Sequence, residues 1–201
     1  RAQRYNLLNI IRFGWGAAMG DLDLNGWTDV VQANGMVDDT WDKKWDKAQN
    51  FWYYQAQIAR TGPEIHSYAD KWADIRGCYI YANEPDRISL NIGGKNFVDA
   101  AEALHFDHKA NTRGVILADF DNDGDLDLYI AKCKSSATSP SDPRRINAYY
   151  RNNGNFTFTE AASEIGLASG AQSWVAVTGD SDNDGDLDIF VINHFTPNEL
   201  F

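Results

Sequence analysis

Aspartates at every second position are the groups in this chain whose type and spacing could do chemistry. The stretch "DFDNDGDLDLYI", residues 119 to 130, holds Asp119, Asp121, Asp123, Asp125 and Asp127 and then turns apolar. A near copy, "DSDNDGDLDIFVI" at 180 to 192, holds Asp180, Asp182, Asp184, Asp186 and Asp188. A third, "DLDLNGWTDVV" at 21 to 31, holds Asp21, Asp23, Asn25, Trp27 and Asp29. With the first aspartate as position one, oxygen-bearing side chains fall at positions one, three, five and nine, and a glycine at position six lets the chain turn sharply. The backbone carbonyl of position seven, from Trp27, Asp125 or Asp186, is the natural further donor. Hard oxygen donors in a flexible loop suit Ca2+, which takes about 6 to 8 of them, better than Zn2+, which favours nitrogen and sulfur.

The loop is not a helical calcium hand. That motif needs a bidentate Glu at position twelve, where this chain has Ile130, Val191 and Gln32, and a helix where this chain has a strand-like run. The aspartate at position nine is expected to close the shell instead. Plain turns also favour Asp and Asn, but turn geometry does not demand an oxygen at every odd position. Two sites are complete; the third, at Asp21, is expected to bind more weakly because Asn25 and Trp27 replace aspartates.

These loops recur because the chain is a repeat. Shifted by 61 residues, 91 to 130 falls on 152 to 191 without a gap, so that Asn91 meets Asn152, Gly93 meets Gly154 and Phe97 meets Phe158. The first copy aligns at an offset of 98, placing Trp15 opposite Arg113 and Trp174. "GVILADF" and "WVAVTGD" read as strands entering the loop, and "DLDLYIA" and "DLDIFVI" as strands leaving it, with Leu126, Leu128 and Ile130 on one face. A second strand pair is read around "RISLNIGGKNFVDA" and "AYYRNNGNFTFTEA", with an Asn/Gly-rich turn at the centre. The expectation is an all-β fold: β-propeller blades of about four antiparallel strands. The length allows only two to three such blades, hence a partial propeller.

The expected divisions are a partial blade with the first loop at 1–35, a Trp-rich and partly helical insertion at 36–85, blades at 86–146 and 147–197, and the start of another at 198–201. Within the insertion, Trp41, Trp45, Ala48, Trp52 and Gln55 follow helical spacing, which predicts an amphipathic helix from about residue 40 to residue 60. It would pack on the propeller or dock a partner.

Composition narrows the function. With 43% hydrophobic residues among 201, the chain can bury a core. Its 18 basic against 29 acidic residues exclude a phosphate-backbone binder, so no nucleic acid partner is expected. No run approaches the ~18 apolar residues of a membrane span, so the chain is not itself transmembrane. It opens on "RAQRYNLLNI", without a starting Met or a signal-peptide pattern, which suggests processing or a longer parent chain. Cys78 and Cys133 leave one disulfide possible and two free thiols equally so. His105 and His108 read as loop residues, since no third ligand stands at a recognised spacing. "NFT" at 155 to 157 fits a glycosylation acceptor, and no nucleophile elbow or phosphate loop points to an enzyme.

The loops and their strands resemble the integrin-type FG-GAP and VCBS repeats, in which a calcium loop joins two strands of a blade. The signatures "GWGAAMGDLDLNGWTDVVQANG" (14 to 35) and "RGVILADFDNDGDLDLYIA" (113 to 131) look like the propeller region of the cartilage-acidic-protein-like family. The resemblance implies one metal site at Asp21, Asp23, Asn25 and Asp29, and equivalent sites at Asp119, Asp121, Asp123 and Asp127 and at Asp180, Asp182, Asp184 and Asp188. The expected role is an extracellular or periplasmic scaffold that binds a protein partner, with structural Ca2+. The alternatives are a carbohydrate-binding propeller, or an accessory subunit docking through the Trp-rich insertion.

Overall fold

The structure, a computed structural model, describes residues 14–35, 83–106, 109–133 and 139–201. The expected helix at 40 to 60, His108 and Cys78 lie outside the described residues. Those described are strands, turns and irregular backbone, with no helix among them.

Three antiparallel sheets carry the fold. The first runs β1 (Gly14–Gly20), β2 (Asp29–Asn34), β4 (Arg87–Ile92) and β5 (Asn96–Asp99). The second runs β7 (Thr112–Ala118), β8 (Asp127–Lys132), β9 (Ala148–Asn152) and β10 (Phe158–Glu160), and the third β11 (Ser173–Gly179), β12 (Asp188–Asn193) and β13 (Glu199–Leu200). Two short strands, β3 (Glu84–Pro85) and β6 (Lys109–Ala110), pair separately. Each aspartate loop joins the first two strands of its sheet, and β4 to β5 and β9 to β10 are hairpins over the expected Asn/Gly turns. Inner strands β1, β7 and β11 lie side by side, as in successive blades, and the described residues form an open run of sheets and not a closed ring.

The phase of the repeat differs from the expected divisions. Residues 86–99 close the first sheet, with β4 bonded to β2, where the sequence frame put them at the head of the next blade. Likewise β13 pairs with β12 as the third strand of the third sheet and does not open a further one. A period fixes the spacing of equivalent residues but not where one hydrogen-bonded sheet ends.

The core lies between sheets. Along β8, Leu128 and Ile130 pack towards the first sheet with Leu22, Val31, Ile88 and Phe106, and Leu126 joins them at the edge. Tyr129 and Ala131, facing the other way, pack towards the third with Tyr149, Ala176, Ile189 and Val191. This two-residue alternation buries both faces of the middle sheet. At the inner edge the backbones almost touch: a Cβ on Gly16 would sit 2.3 Å from the Arg113 carbonyl oxygen, and one on Gly114 3.0 Å from the Ala176 nitrogen.

Polar stitches join neighbouring sheets at the end opposite the loops. Asp86, just before β4, accepts from the Asn34 N–H at 2.9 Å and from the Thr112 hydroxyl at the start of β7. Its repeat equivalent, Asn147, accepts from the Lys132 N–H at 2.8 Å and donates to the Ser173 hydroxyl of β11 at 2.8 Å.

Candidate metal centres

The three loops share one backbone. Position four is left-handed in each, at Leu24 (φ 53°), Asn122 (φ 59°) and Asn183 (φ 61°), and so is position six, at Gly26, Gly124 and Gly185. Asn tolerates that region and Gly is free to adopt it. Leu24 adopts it too, so the replacements in the first loop leave its course intact. Position one accepts the N–H of position six in all three, at 2.7 Å for Asp21, 2.9 Å for Asp119 and 3.2 Å for Asp180.

That winding draws the carboxylates of positions one, three and nine together. Oxygens of Asp21, Asp23 and Asp29 lie within 4.8 Å of one another, as do those of Asp119, Asp121 and Asp127 and those of Asp180, Asp182 and Asp188. Asp123 and Asp184, at position five, lie outside these groups, and Asn25 donates from Nδ2 to the Asp23 carboxylate at 3.0 Å. Asn25, Asp123 and Asp184 each turn a side-chain oxygen to the N–H of position seven, at 2.8, 3.0 and 3.0 Å, and cap the turn. Side chains at position seven point outward: Trp27 lies against the Gly94 turn, and Asp186 accepts from Asn122 Nδ2 at 3.1 Å, linking the second loop to the third.

Position nine anchors each loop to its sheet. Asp29 and Asp127 are 0% exposed. One oxygen of Asp29 accepts from the Leu22 N–H at 2.9 Å and the other from the Asn91 N–H, on the third strand, at 2.7 Å. Asp127 accepts from the Phe120 N–H at 3.1 Å, the Asn152 N–H at 2.8 Å and the Tyr149 hydroxyl at 2.8 Å. Burial pushes both carboxyls above the ordinary aspartate range; the N–H bonds pull them partly back, and the nearby acids Asp23, Asp21 and Asp121 push the same way as burial. Asp121 is raised as well, by burial and then by Asp123. Asp188 is lowered instead, because the Ser181 hydroxyl and N–H both donate to it.

Asn91 and Asn152 are the residues that sequence reasoning passed over. Beyond their N–H bonds to position nine, Asn91 Nδ2 donates to the Thr28 carbonyl at 3.0 Å, and Asn152 Nδ2 reaches the Leu126 carbonyl at 3.3 Å and the Leu22 carbonyl of the first loop at 3.2 Å. The signal was their coincidence in the 61-residue repeat. His105 sits in a turn with φ 60°, where its repeat equivalent is Gly166, and Cys133 is a buried free thiol. Asn155 and Thr157 lie exposed on the β9 to β10 turn.

Comparison with known proteins agrees with this architecture. Human cartilage acidic protein 1 (Homo sapiens) is 32% identical over 113 residues, which are 55% of this chain and only 16% of that protein. The model of the FG-GAP-like repeat matches residues 68–130 and 136–191, more than half of the chain. Two copies of one loop-bearing repeat, stacked sheet against sheet, place the chain in the FG-GAP-like repeat family.

Proposed function

We propose that this chain is a calcium-stabilised run of propeller blades serving as an extracellular or periplasmic scaffold for binding and assembly. The observation that carries the reading is the threefold convergence of carboxylates at positions one, three and nine on one shared backbone. The donor set fits the ion: every side-chain ligand is a hard oxygen, and Asp29 and Asp127, raised first by burial and further by the acids beside them, are carboxyls that a positive charge would stabilise in the ionised form. Asp21, Asp23 and Asp29, and their equivalents in the other loops, would hold Ca2+ with the position-seven carbonyl. The bound ion supplies charge neutralisation and ties the loop to the strand that follows.

In such a scaffold, binding free energy becomes folding free energy. Extracellular modules of this kind bind at about 10⁻⁴ to 10⁻³ M, a range filled outside cells and vacant in cytosol. Binding to a protein partner, and not catalysis, is the activity assigned. Thermal unfolding in 1 mM CaCl2 against excess EDTA tests it: with a Kd near 10⁻⁴ M, each site adds about 1.4 kcal/mol and the melting temperature rises by several degrees. Identical melting in the two buffers sinks the proposal. A glycan array returning one specific saccharide, with no protein partner recovered, would replace the scaffold by the carbohydrate-binding alternative.

A further inference from the structure

All three sheets open with the same irregularity. The antiparallel register slips by one residue between Gly14 and Ala17 in β1, Thr112 and Gly114 in β7, and Ser173 and Val175 in β11. Inside these slips stand Trp15, Arg113 and Trp174, equivalent positions of the repeat. A bulge re-aims a side chain. Here it turns three of them to one place, at the end of the sheets opposite the aspartate loops. Trp15 and Trp174 meet edge to face at 6.0 Å, and the Arg113 guanidinium lies 4.2 Å over the Trp15 ring. The aromatic surface continues through His194, 5.1 Å from Trp174, to the exposed Phe195 at 3.9 Å from His194.

Arg113 is 2% exposed, yet its guanidinium is only half used. Nη1 donates to the Thr112 carbonyl at 2.9 Å and to the Gly35 carbonyl. Nε and Nη2, both buried, have no hydrogen-bond partner among the described residues. Their N–H bonds run parallel and form the side of the guanidinium that matches both oxygens of one carboxylate. Burial lowers the Arg113 pKa to about 10, against the opposing pull of Cys133 and Asp86. Trp15, at 36% exposure, is held by its Nε1–H to the Gly35 carbonyl at 2.8 Å, and solvent reaches the cluster there and at His194 and Phe195.

We propose that this cluster is a carboxylate-binding site: Arg113 takes both oxygens of one carboxylate through Nε and Nη2, and the rings of Trp15, Trp174 and Phe195 take an aromatic or apolar body attached to it. Phosphate matches the fork but leaves the rings unused.

The test follows the Arg113 Nε–H resonance in the intact chain during titration with benzoate, benzamide, acetate and inorganic phosphate. Benzoate is expected to shift the resonance and slow its exchange with water about tenfold or more, with acetate and phosphate at least about tenfold weaker and benzamide inert. N-acetylphenylalanine separates the sources: tighter binding than benzoate assigns the site to a peptide C-terminus, weaker binding to a free organic acid. A resonance unmoved by benzoate, moved as far by benzamide, or moved as readily by phosphate overturns the proposal. Arg113→Lys, which keeps a charge but loses the fork, and Phe195→Ala, at an exposed ring, should each weaken benzoate about tenfold. Should Arg113→Lys not fold, the exchange measurement on the unaltered chain still decides.

Discussion

The second and third sheets begin from almost the same sequence and end in different surroundings. Their loops read "DFDNDGDLDL" and "DSDNDGDLDI", and their backbones coincide at positions four and six. In the second sheet Asp127 is sealed by Phe120, Asn152 and Tyr149, and Tyr129 is 0% exposed. In the third, the Asp188 carboxylate accepts, among the described residues, from Ser181 alone and Thr178 bonds its carbonyl, while Phe190, the repeat equivalent of Tyr129, is 38% exposed. The loop is therefore a local product of its ten residues, whereas the burial of its anchor comes from the hairpin and the sheet beside it.

Truncation at the equivalent aromatic positions should widen that contrast most. Tyr129→Ala opens a cavity between two sheets and is expected to cost about 3 to 5 kcal/mol, against under about 1 kcal/mol for Phe190→Ala, read from urea unfolding of each variant. Next comes the anchor itself. In EDTA, Asp127→Ala leaves the buried Asn152 N–H, the half-buried Phe120 N–H and the Tyr149 hydroxyl without their acceptor, and should cost roughly 2 to 4 kcal/mol. Asp188→Ala should cost clearly less in the same assay, and equal losses would mean that the neighbouring hairpin contributes nothing.

The pH response should separate the two anchors in sign. Asp127 has a raised pKa in the folded chain, so above the ordinary value of 3.8 the folded state binds more protons than the unfolded one. Its contribution is full at low pH and is lost as pH rises through the raised folded value. Asp188, lowered, contributes above the ordinary range and loses that contribution as pH falls. In EDTA, stability of the unaltered chain relative to Asp127→Asn should therefore fall as pH rises from 3.8 through the raised value, and relative to Asp188→Asn should rise as pH climbs towards 3.8 from below. Smallest is the strain at Leu24: Leu24→Asn should stabilise by about 0.5 to 1 kcal/mol, since Asn tolerates φ near 53° better than Leu. A neutral or destabilising result would mean that Leu24 packs usefully where it is.

What could be read in the sequence was what is local. Asp119 to Asp127 fold as a unit of side-chain to N–H bonds spanning at most seven residues, and the alternation of Leu128 and Ile130 with Tyr129 marks a strand buried on both faces. The hairpin at Gly93 and Gly94 was equally plain, because left-handed turns need such residues. What could not be read depends on partners far along the chain. Asp29 is capped by Asn91, 62 residues away, and Asn152 reaches back 130 residues to Leu22. The sheet phase failed for the same reason, since β4 could pair forward or backward without any change in its own pattern. At Arg113 the aligned tryptophans were visible, but a bulge is a property of two strands in register and not of one sequence.

The bare inner edge has a consequence for shape. Where β1 meets β7 and β7 meets β11, Gly16, Gly114 and Ala176 let backbones approach to contact, while further out Phe106, Tyr150 and Phe158 fill the gap between the first two sheets with rings 4.4 and 5.2 Å apart. The space between the first two sheets is thus a wedge, thin at one side and thick at the other. Sheets on either side of a wedge can only fan, so the curvature between them is written in a gradient of side-chain size, glycine at the hub and phenylalanine at the rim.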